Sequence, residues 1–547
     1  MENHSYDFCI VGSGFGGSVS ALRLAEKGYK VAVIEKGQRF RSQDFPKTNW
    51  NLKKWFWMPW LNWRGFFKMT FLRHLTVYSG VGVGGGSLVY ASTLPIPKDH
   101  FFRASSWAHL ANWKDELHKH YQTARRMLGV STNPKLTYSD QIMEDVAKTI
   151  GKQESFAPSE VGIFMGEGGK TVADPFFGGK GPARTGCTFC GSCLTGCRQG
   201  AKNSLDFNYL YLAENLGVRV MSNSQVVHIK PLEAGKQGYE ITIHEKSPGL
   251  KNRSKKLFAQ QVVFSGGVLG TLDLLLKLRE RSDGLPMLSN SLGCGIRTNS
   301  EAVIGVTVPK KDVNFSDGIA ISSILHTDEH SHLEPVRFGS GSGFFRILLA
   351  PHAPGDTFLQ RLFATLRSVL RHPGKWIRAL FLSDFAKHTQ ILLYMRSLEG
   401  TLRFRRGRSL FTLFRKGIIS YVEPGDEKPK ASIPEATDLA MIFGKKVGGV
   451  VTNLFTETIL NIPSTAHVLG GCCMGKGPED GVIDHRHRVF GYDGLYVVDG
   501  SAVSANPGVN PSLTITAMAE RAMGFIPPKI QSNTNQNRIS DDGLNHS

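Results

Sequence analysis

Cysteine is scarce in this chain of 547 residues: there are eight, and four of them fall between Cys187 and Cys197. So few thiols exclude a disulfide-framed fold and point to a reducing, cytoplasmic setting. No apolar run approaches the roughly 18 residues that a membrane-spanning helix needs. The opening residues run from Glu2 straight into Tyr6-Asp7-Phe8-Cys9-Ile10-Val11, without the pattern of a secretory leader. Acidic residues are outnumbered, 46 against 65 basic ones, for a net charge of +19. Such an excess suits nucleic acid, anionic lipid or an acidic partner. Zinc-finger spacing, RNA-binding signatures and tandem basic repeats are all missing, so nucleic acid is not expected as a partner.

The chain does have core-forming material, 41% hydrophobic residues, and 60 glycines that gather in a few short runs. Glycine runs mark places where backbone must come close to something else. The first is Gly12-Ser13-Gly14-Phe15-Gly16-Gly17. It follows an apolar strand ending at Val11 and opens a helical stretch from Ser18 to Lys27. In this G-x-G-x-x-G arrangement Gly12 serves the tight turn, Gly14 the approach to a pyrophosphate, and Gly17 the packing of helix on strand. The helix N-terminus then faces the phosphates. A second strand, Lys30 to Ile34, ends at Glu35, where a carboxylate can take both ribose hydroxyls. The residues alone leave FAD and NAD open.

Further blocks narrow the choice. Tyr78-Ser79-Gly80-Val81-Gly82-Val83-Gly84-Gly85-Gly86-Ser87 forms a second glycine loop, and Phe264-Ser265-Gly266-Gly267-Val268 forms a strand-to-helix turn. Ala466-His467-Val468-Leu469-Gly470-Gly471, Val497-Val498-Asp499-Gly500-Ser501 and Gly508-Val509-Asn510-Pro511-Ser512 follow near the far end. In this order the blocks resemble the glucose–methanol–choline (GMC) oxidoreductases, and most closely their cholesterol oxidase branch. The resemblance implies an α/β fold: a Rossmann-like FAD-binding domain assembled from residues 1–100, 181–300 and 461–525. A substrate-binding domain with a β-sheet and helices, 101–180 and 301–460, is inserted between them. The tail 528–547, rich in Asn, Ser and Asp, is expected to be disordered.

The resemblance also assigns roles. Gly12, Gly14, Phe15, Gly16, Gly17, Glu35, Gly80, Gly84, Gly85, Gly86, Ser87, Val227, Gly266, Asp499, Gly500, Asn510 and Pro511 are expected to hold FAD. His467 and Asn510 are the expected catalytic pair, the imidazole taking the hydroxyl proton and the amide orienting the alcohol. Glu334 is the candidate base for moving a ring double bond. The implied substrate is a sterol-like secondary alcohol, with hydride passed to the flavin and electrons on to oxygen or a carrier.

Two features stand outside the resemblance. Cys187-x2-Cys190-x2-Cys193-x3-Cys197 has ferredoxin-like spacing. An iron–sulfur cluster, a four-thiolate zinc site and a loop of reduced cysteines all remain open. A cluster would make the enzyme a dehydrogenase that feeds a carrier; a flavin protein with a purely binding role is the reading from another class. The second feature is basic and aromatic. Trp50, Trp55, Trp57, Trp60 and Trp63 crowd one stretch, and Arg361, Arg367, Arg371, Lys375 and Arg378 recur at near-helical spacing until Pro373-Gly374 interrupts. Arg403, Arg405, Arg406 and Arg408 add a cationic patch. These suit peripheral contact with a membrane, and equally a core of aromatics with a solvated basic face.

Overall fold

The computed structural model describes residues 5–530 except 246–252, 310–311, 354, 356, 372, 399, 424 and 426–428. The fold is of the α/β class, built around two seven-stranded sheets.

The first sheet begins with Ser5–Val11, an apolar strand whose second half is almost wholly buried because strands flank it on both sides. Arg219–Met221, Val31–Ile34, Ser5–Val11, Arg253–Phe264 and Leu495–Val497 lie parallel in that order. Their register is level: Met221 is opposite Ile34, Ile34 opposite Val11, Val11 opposite Phe264, and Phe264 opposite Val497. Five strands therefore end on one line, and in open α/β sheets ligands bind beyond such carboxyl ends. Ser224–Pro231 and Tyr239–Glu245 extend the sheet as an antiparallel flap. The helices Phe15–Glu26 and Ser512–Gly524 pack together on the sheet, and Arg23 clamps Glu520 at 2.7 Å between them.

The second sheet is antiparallel throughout, in the order Leu349–Pro351, Val450–Leu454, Ala302–Thr307, Thr389–Arg396, Ser331–Val336, Ser323–His326, Phe156–Pro158. Strand alternation splits its side chains between two faces. Ile304, Leu333 and Leu392 pack with Met143, Leu439 and Phe443 of the helices Tyr138–Thr149 and Pro434–Val447. Val303, Val336, Ile391 and Leu393 turn the other way, toward a cavity.

The aromatic and basic residues of the periphery divide between the two readings. Of the tryptophans between 50 and 63, Trp55 is fully buried and stacks on Phe67 at 4.5 Å, in a cluster with Phe40, Phe45 and Phe66. The other four are not enclosed in this way: Trp57 and Trp63 are half-buried, and Trp50 and Trp60 are exposed. The arginines near 405 are mostly paired: Arg403 with Glu423 at 3.0 Å, Arg406 with Glu280 at 2.7 Å, and Arg405 over the Tyr421 ring. Residues 528–530 still pack on the body, Lys529 donating from its backbone to Lys27 and from Nζ to Asp7. The rest of the expected tail, from 531, lies outside the described residues. Among the described residues no helix is long and apolar enough to cross a membrane.

Candidate active site

The line of strand ends opens into one continuous cavity of about 780 Å³. Gly12 leaves its strand at φ +102°, and a Cβ there would strike the Ser265 carbonyl. Gly17 is equally confined, by the Gly12 carbonyl, which lets the helix sit directly on the turn. The helix Phe15–Glu26 has no acid in its first turn, so its positive end faces the cavity uncompensated. Glu35 closes the crossover: Oε2 accepts from the Ser13 hydroxyl at 2.8 Å and Oε1 from Gly37 N at 2.8 Å.

The second glycine loop lies on the first. A Cβ on Gly85, which has φ +53°, would be 2.7 Å from Gly14 Cα. The Ser13 hydroxyl also accepts from Gly84 N at 3.2 Å. From the other side, Ser265 donates to the Val498 carbonyl and Thr271 Oγ1 donates to Asp499 Oδ2 at 2.6 Å. The other Asp499 oxygen accepts from Ser501 N at 2.8 Å. Burial pushes the Asp499 pKa up, against the pull of the Ser501 and Thr271 hydrogen bonds.

Gly12, Gly14, Phe15, Gly16, Glu35, Gly80, Gly85, Gly86, Val227, Gly266, Asp499, Gly500, Asn510 and Pro511 all line the cavity, as does His467. Gly17, Gly84 and Ser87 stand behind the wall. Ser87 Oγ donates to Gly84 O at 2.7 Å and accepts from Leu205 N at 3.0 Å, which folds the loop but leaves the hydroxyl turned from the cavity.

At the far end Val303, Phe338, Phe345, Leu349, Ile391 and Leu454 make much of the wall apolar, and His467, Glu301 and Asn510 bring polar groups to it. His467 Nδ1 is 2.8 Å from Glu301 Oε2. That bond takes one ring nitrogen; Nε2 has no protein partner among the described residues. Burial pulls the His467 pKa down, yet the carboxylates of Glu301 and, to a smaller extent, Glu334 outweigh it and the pKa stands above the ordinary value. The carboxylate also selects the tautomer with hydrogen on Nδ1. Asn510 sits in the same wall on a loop tied down by Asn299 Nδ2, which donates to Val509 O at 2.8 Å.

Glu334 is off the cavity wall. It is fully buried in the strand Ser331–Val336, where Oε2 accepts from Asn510 Nδ2 at 3.4 Å and Oε1 lies 3.5 Å from His332 Nε2. From this position Glu334 reaches the Asn510 amide and lies close enough to His467 for its charge to act on the imidazole. Glu301 faces the cavity and was not singled out in the sequence. It precedes the strand Ala302–Thr307 without any motif around it, and an acid opening an apolar strand is the sole signal it leaves.

The four clustered cysteines border a separate, small cavity together with Lys202 and Ile319. Cys193 is buried and Cys190 exposed. Among the described residues no three His, Cys, Asp or Glu side chains are grouped to hold a metal ion. The metal expected at Cys187, Cys190, Cys193 and Cys197 thus finds no support in the grouping of these side chains. What the loop does is structural: Gly191 N donates to Gly318 O at 2.7 Å, and Lys202 Nζ donates to Cys193 O at 2.8 Å and Leu88 O at 2.9 Å. It joins the second glycine loop to the region of the antiparallel sheet.

Comparison with known proteins agrees with this geometry. Residues 7–50 match the FAD binding domain family, and residues 182–278 and 446–519 match GMC oxidoreductase families. The chain is 42% identical over 536 residues to a cholesterol oxidase of Acinetobacter baumannii, covering 97% of this chain and 96% of that one. Against a cholesterol oxidase of Mycobacterium tuberculosis it is 43% identical over 539 residues, 96% and 91% of the two chains. Among solved structures, pyridoxine 4-oxidase from Mesorbium loti superposes with a TM-score of 0.61 at 14% identity, over 95% of this chain and 98% of that one, a likeness of fold. The cavity fits an FAD. Gly14 lines the cavity and a Cβ on it would meet no protein atom within 4 Å, so the turn leaves room for a ligand, and two buried polar atoms at the far end, Glu301 Oε1 and Asn510 Oδ1, have no hydrogen-bond partner among the described residues.

Proposed function

The chain belongs to the GMC oxidoreductase family, an FAD-dependent oxidoreductase acting on an alcohol, and on that premise we propose that it oxidises the 3β-hydroxyl of cholesterol or a related sterol to the ketone, with oxygen as electron acceptor. The observation that carries this reading is His467, held by Glu301 at 2.8 Å, beside a stretch of cavity wall formed by Val303, Phe338, Phe345, Leu349 and Ile391. A largely apolar stretch of wall with a few converging polar groups suits a bulky hydrophobic molecule that carries a single hydroxyl. The near full-length identity to two cholesterol oxidases supports the choice of sterol.

Bound FAD supplies the hydride acceptor, held by the two glycine loops, Glu35 and the 498–511 segment. His467 Nε2, unprotonated when Nδ1–H points at Glu301, takes the hydroxyl proton as the C–H bond breaks. The resulting imidazolium is stabilised by the Glu301 carboxylate, so proton uptake costs less than at an isolated buried histidine. The Asn510 amide binds the alcohol oxygen and fixes which face of the carbinol carbon is presented. Glu334 holds that amide from behind and is a positioning residue. The eight free cysteines support a reducing compartment.

The test is anaerobic addition of cholesterol to the FAD-loaded protein while the flavin spectrum is recorded. Bleaching of the flavin supports sterol oxidation. A flavin that stays oxidised with cholesterol but bleaches with a long-chain alcohol would move the substrate elsewhere.

A further inference from the structure

The helix Phe358–Arg371 is turned inside out. Arg361 points inward, 6% exposed, its guanidinium donating to Gly355 O at 2.9 Å and Ile459 O at 3.3 Å. Leu359, Phe363, Leu366 and Leu370, spaced four, three and four residues apart and so on one helical stripe, are exposed at 60%, 66%, 48% and 78%. A second short helix, Pro373–Leu380, repeats the arrangement. Trp376 turns inward and its Nε1 donates to Ser368 O at 3.3 Å, while Ile377 and Phe381 face out. An amphipathic helix normally buries its apolar stripe on its own core. Here the apolar stripe is left for something else.

The surroundings of the stripe indicate what that is. Residues 357–383 contain no aspartate or glutamate, whereas Arg367, Arg371 and Arg378 are exposed beside the apolar residues. Two copies of this face laid together would set arginine against arginine with no acid between them, which argues against self-association. An anionic lipid surface satisfies both halves at once, taking the apolar side chains below its headgroups and the guanidiniums among its phosphates. The position agrees. The helix packs on the strand Leu349–Pro351, whose Leu349 lines the cavity, and the second helix leads into Phe385, another lining residue. Phe411, on the turn Leu410–Thr412, also lines the cavity while 41% exposed, and Leu413 and Phe414 beside it are more exposed still.

We propose that residues 358–381 form a docking surface that seats the enzyme on anionic bilayers with the mouth of its cavity against the lipid. The proposal rests on the sterol reading only for the benefit that such a placement brings. The surface itself is argued from the helix pair.

The experiment measures co-sedimentation of the FAD-loaded enzyme with sterol-free vesicles of phosphatidylcholine, with and without phosphatidylglycerol. The wild type is expected to bind the anionic vesicles and to leave the neutral ones largely in solution. The double variant Phe363→Ser/Leu370→Ser removes two exposed side chains outside the cavity, so flavin content and turnover of detergent-dispersed substrate stay unchanged. Its binding to anionic vesicles falls roughly tenfold or more, by loss of inserted apolar area. Wild-type protein that ignores anionic vesicles overturns the proposal, as does a variant that binds as well as the wild type. A wild-type dimer in solution that the double variant converts to monomer overturns it in favour of a second copy of the chain. Because the vesicles carry no sterol, failure here leaves the substrate assignment standing, and failure of cholesterol to reduce the flavin leaves the docking result standing.

Discussion

His467 and Glu301, 166 residues apart in the chain, meet at 2.8 Å in the wall of the cavity. The carboxylate comes from the residue just before the strand Ala302–Thr307 of the antiparallel sheet, and the histidine from a loop that follows Ser464–Thr465. The imidazole is thus oriented from the antiparallel sheet, and on the proposed function several consequences can be measured.

Replacing Glu301 by glutamine keeps an acceptor for Nδ1–H but removes the charge. Against burial, Glu301 first and Glu334 second hold the His467 pKa above its ordinary value. Without the charge the pKa falls, and the pH limb that reports His467 in flavin reduction moves to lower pH. The maximal rate drops roughly tenfold to a hundredfold as the imidazolium loses its partner. Stopped-flow reduction across pH checks both. An unmoved limb would take Glu301 out of the role.

His467→Ala should leave FAD bound, since the cradle is made elsewhere, and slow reduction by about 10² to 10⁴. Flavin absorbance per protein and anaerobic reduction rate are the two readouts. Loss of flavin instead would mean that the loop, and not the imidazole, had been damaged.

Glu334→Leu is expected to raise KM and lower kcat together, because the Asn510 amide loses its partner at 3.4 Å. Glu334→Gln restores an acceptor to Asn510 and should recover most of the rate. If the glutamine variant oxidises sterol normally yet stops double-bond migration, Glu334 acts on substrate after all.

Gly85→Ala places a Cβ 2.7 Å from Gly14 Cα at a φ of +53°. Backbone must yield on both glycine loops, so the variant should fold yet retain little flavin. Spectral measurement of flavin occupancy after dialysis tests this. Full occupancy would show that the two loops tolerate separation.

Glu457 supplies a prediction about stability. Burial raises its pKa from 4.5 to about 8, despite hydrogen bonds from Ser464 that pull the other way. The folded state therefore holds a proton that the unfolded chain releases. That stability is fully present below pH 4.5 and is lost as pH rises toward about 8, by a few kcal/mol in all. Glu457→Gln, which cannot ionise, should raise Tm above pH 8 and change it little in acid. Thermal melts of both proteins across this range decide the matter.

Much of the cofactor half was legible because its constraints are local. A strand, a turn that only glycine can make, and a helix N-terminus must be neighbours in sequence, so Gly12 to Gly17 announce themselves. His467 and Asn510 carry recognisable surroundings for the same reason. Glu301 does not: its partner is distant in sequence, and nothing in Asn299-Ser300-Glu301 differs from an ordinary loop entering a strand. Glu334 is named in the sequence only through the resemblance; that strand pairing sets it beside Asn510 is visible only in three dimensions. For Phe358–Arg371 the periodicity was visible, but periodicity alone does not say which face meets the protein. Arg361, bonded inward to Ile459 O, settles that in three dimensions.

The cradle draws on the chain from end to end: the Gly12 turn, the Gly85 loop, the Ser265–Gly266 turn, and Val498, whose carbonyl stops any side chain at Gly16. A nascent chain still short of residue 500 has no such site. Cofactor capture is then an event that follows translation, and flavin occupancy becomes a receipt for a complete chain. A product that ends before this segment is expected to lack the flavin's colour and the steadiness that a bound ligand lends.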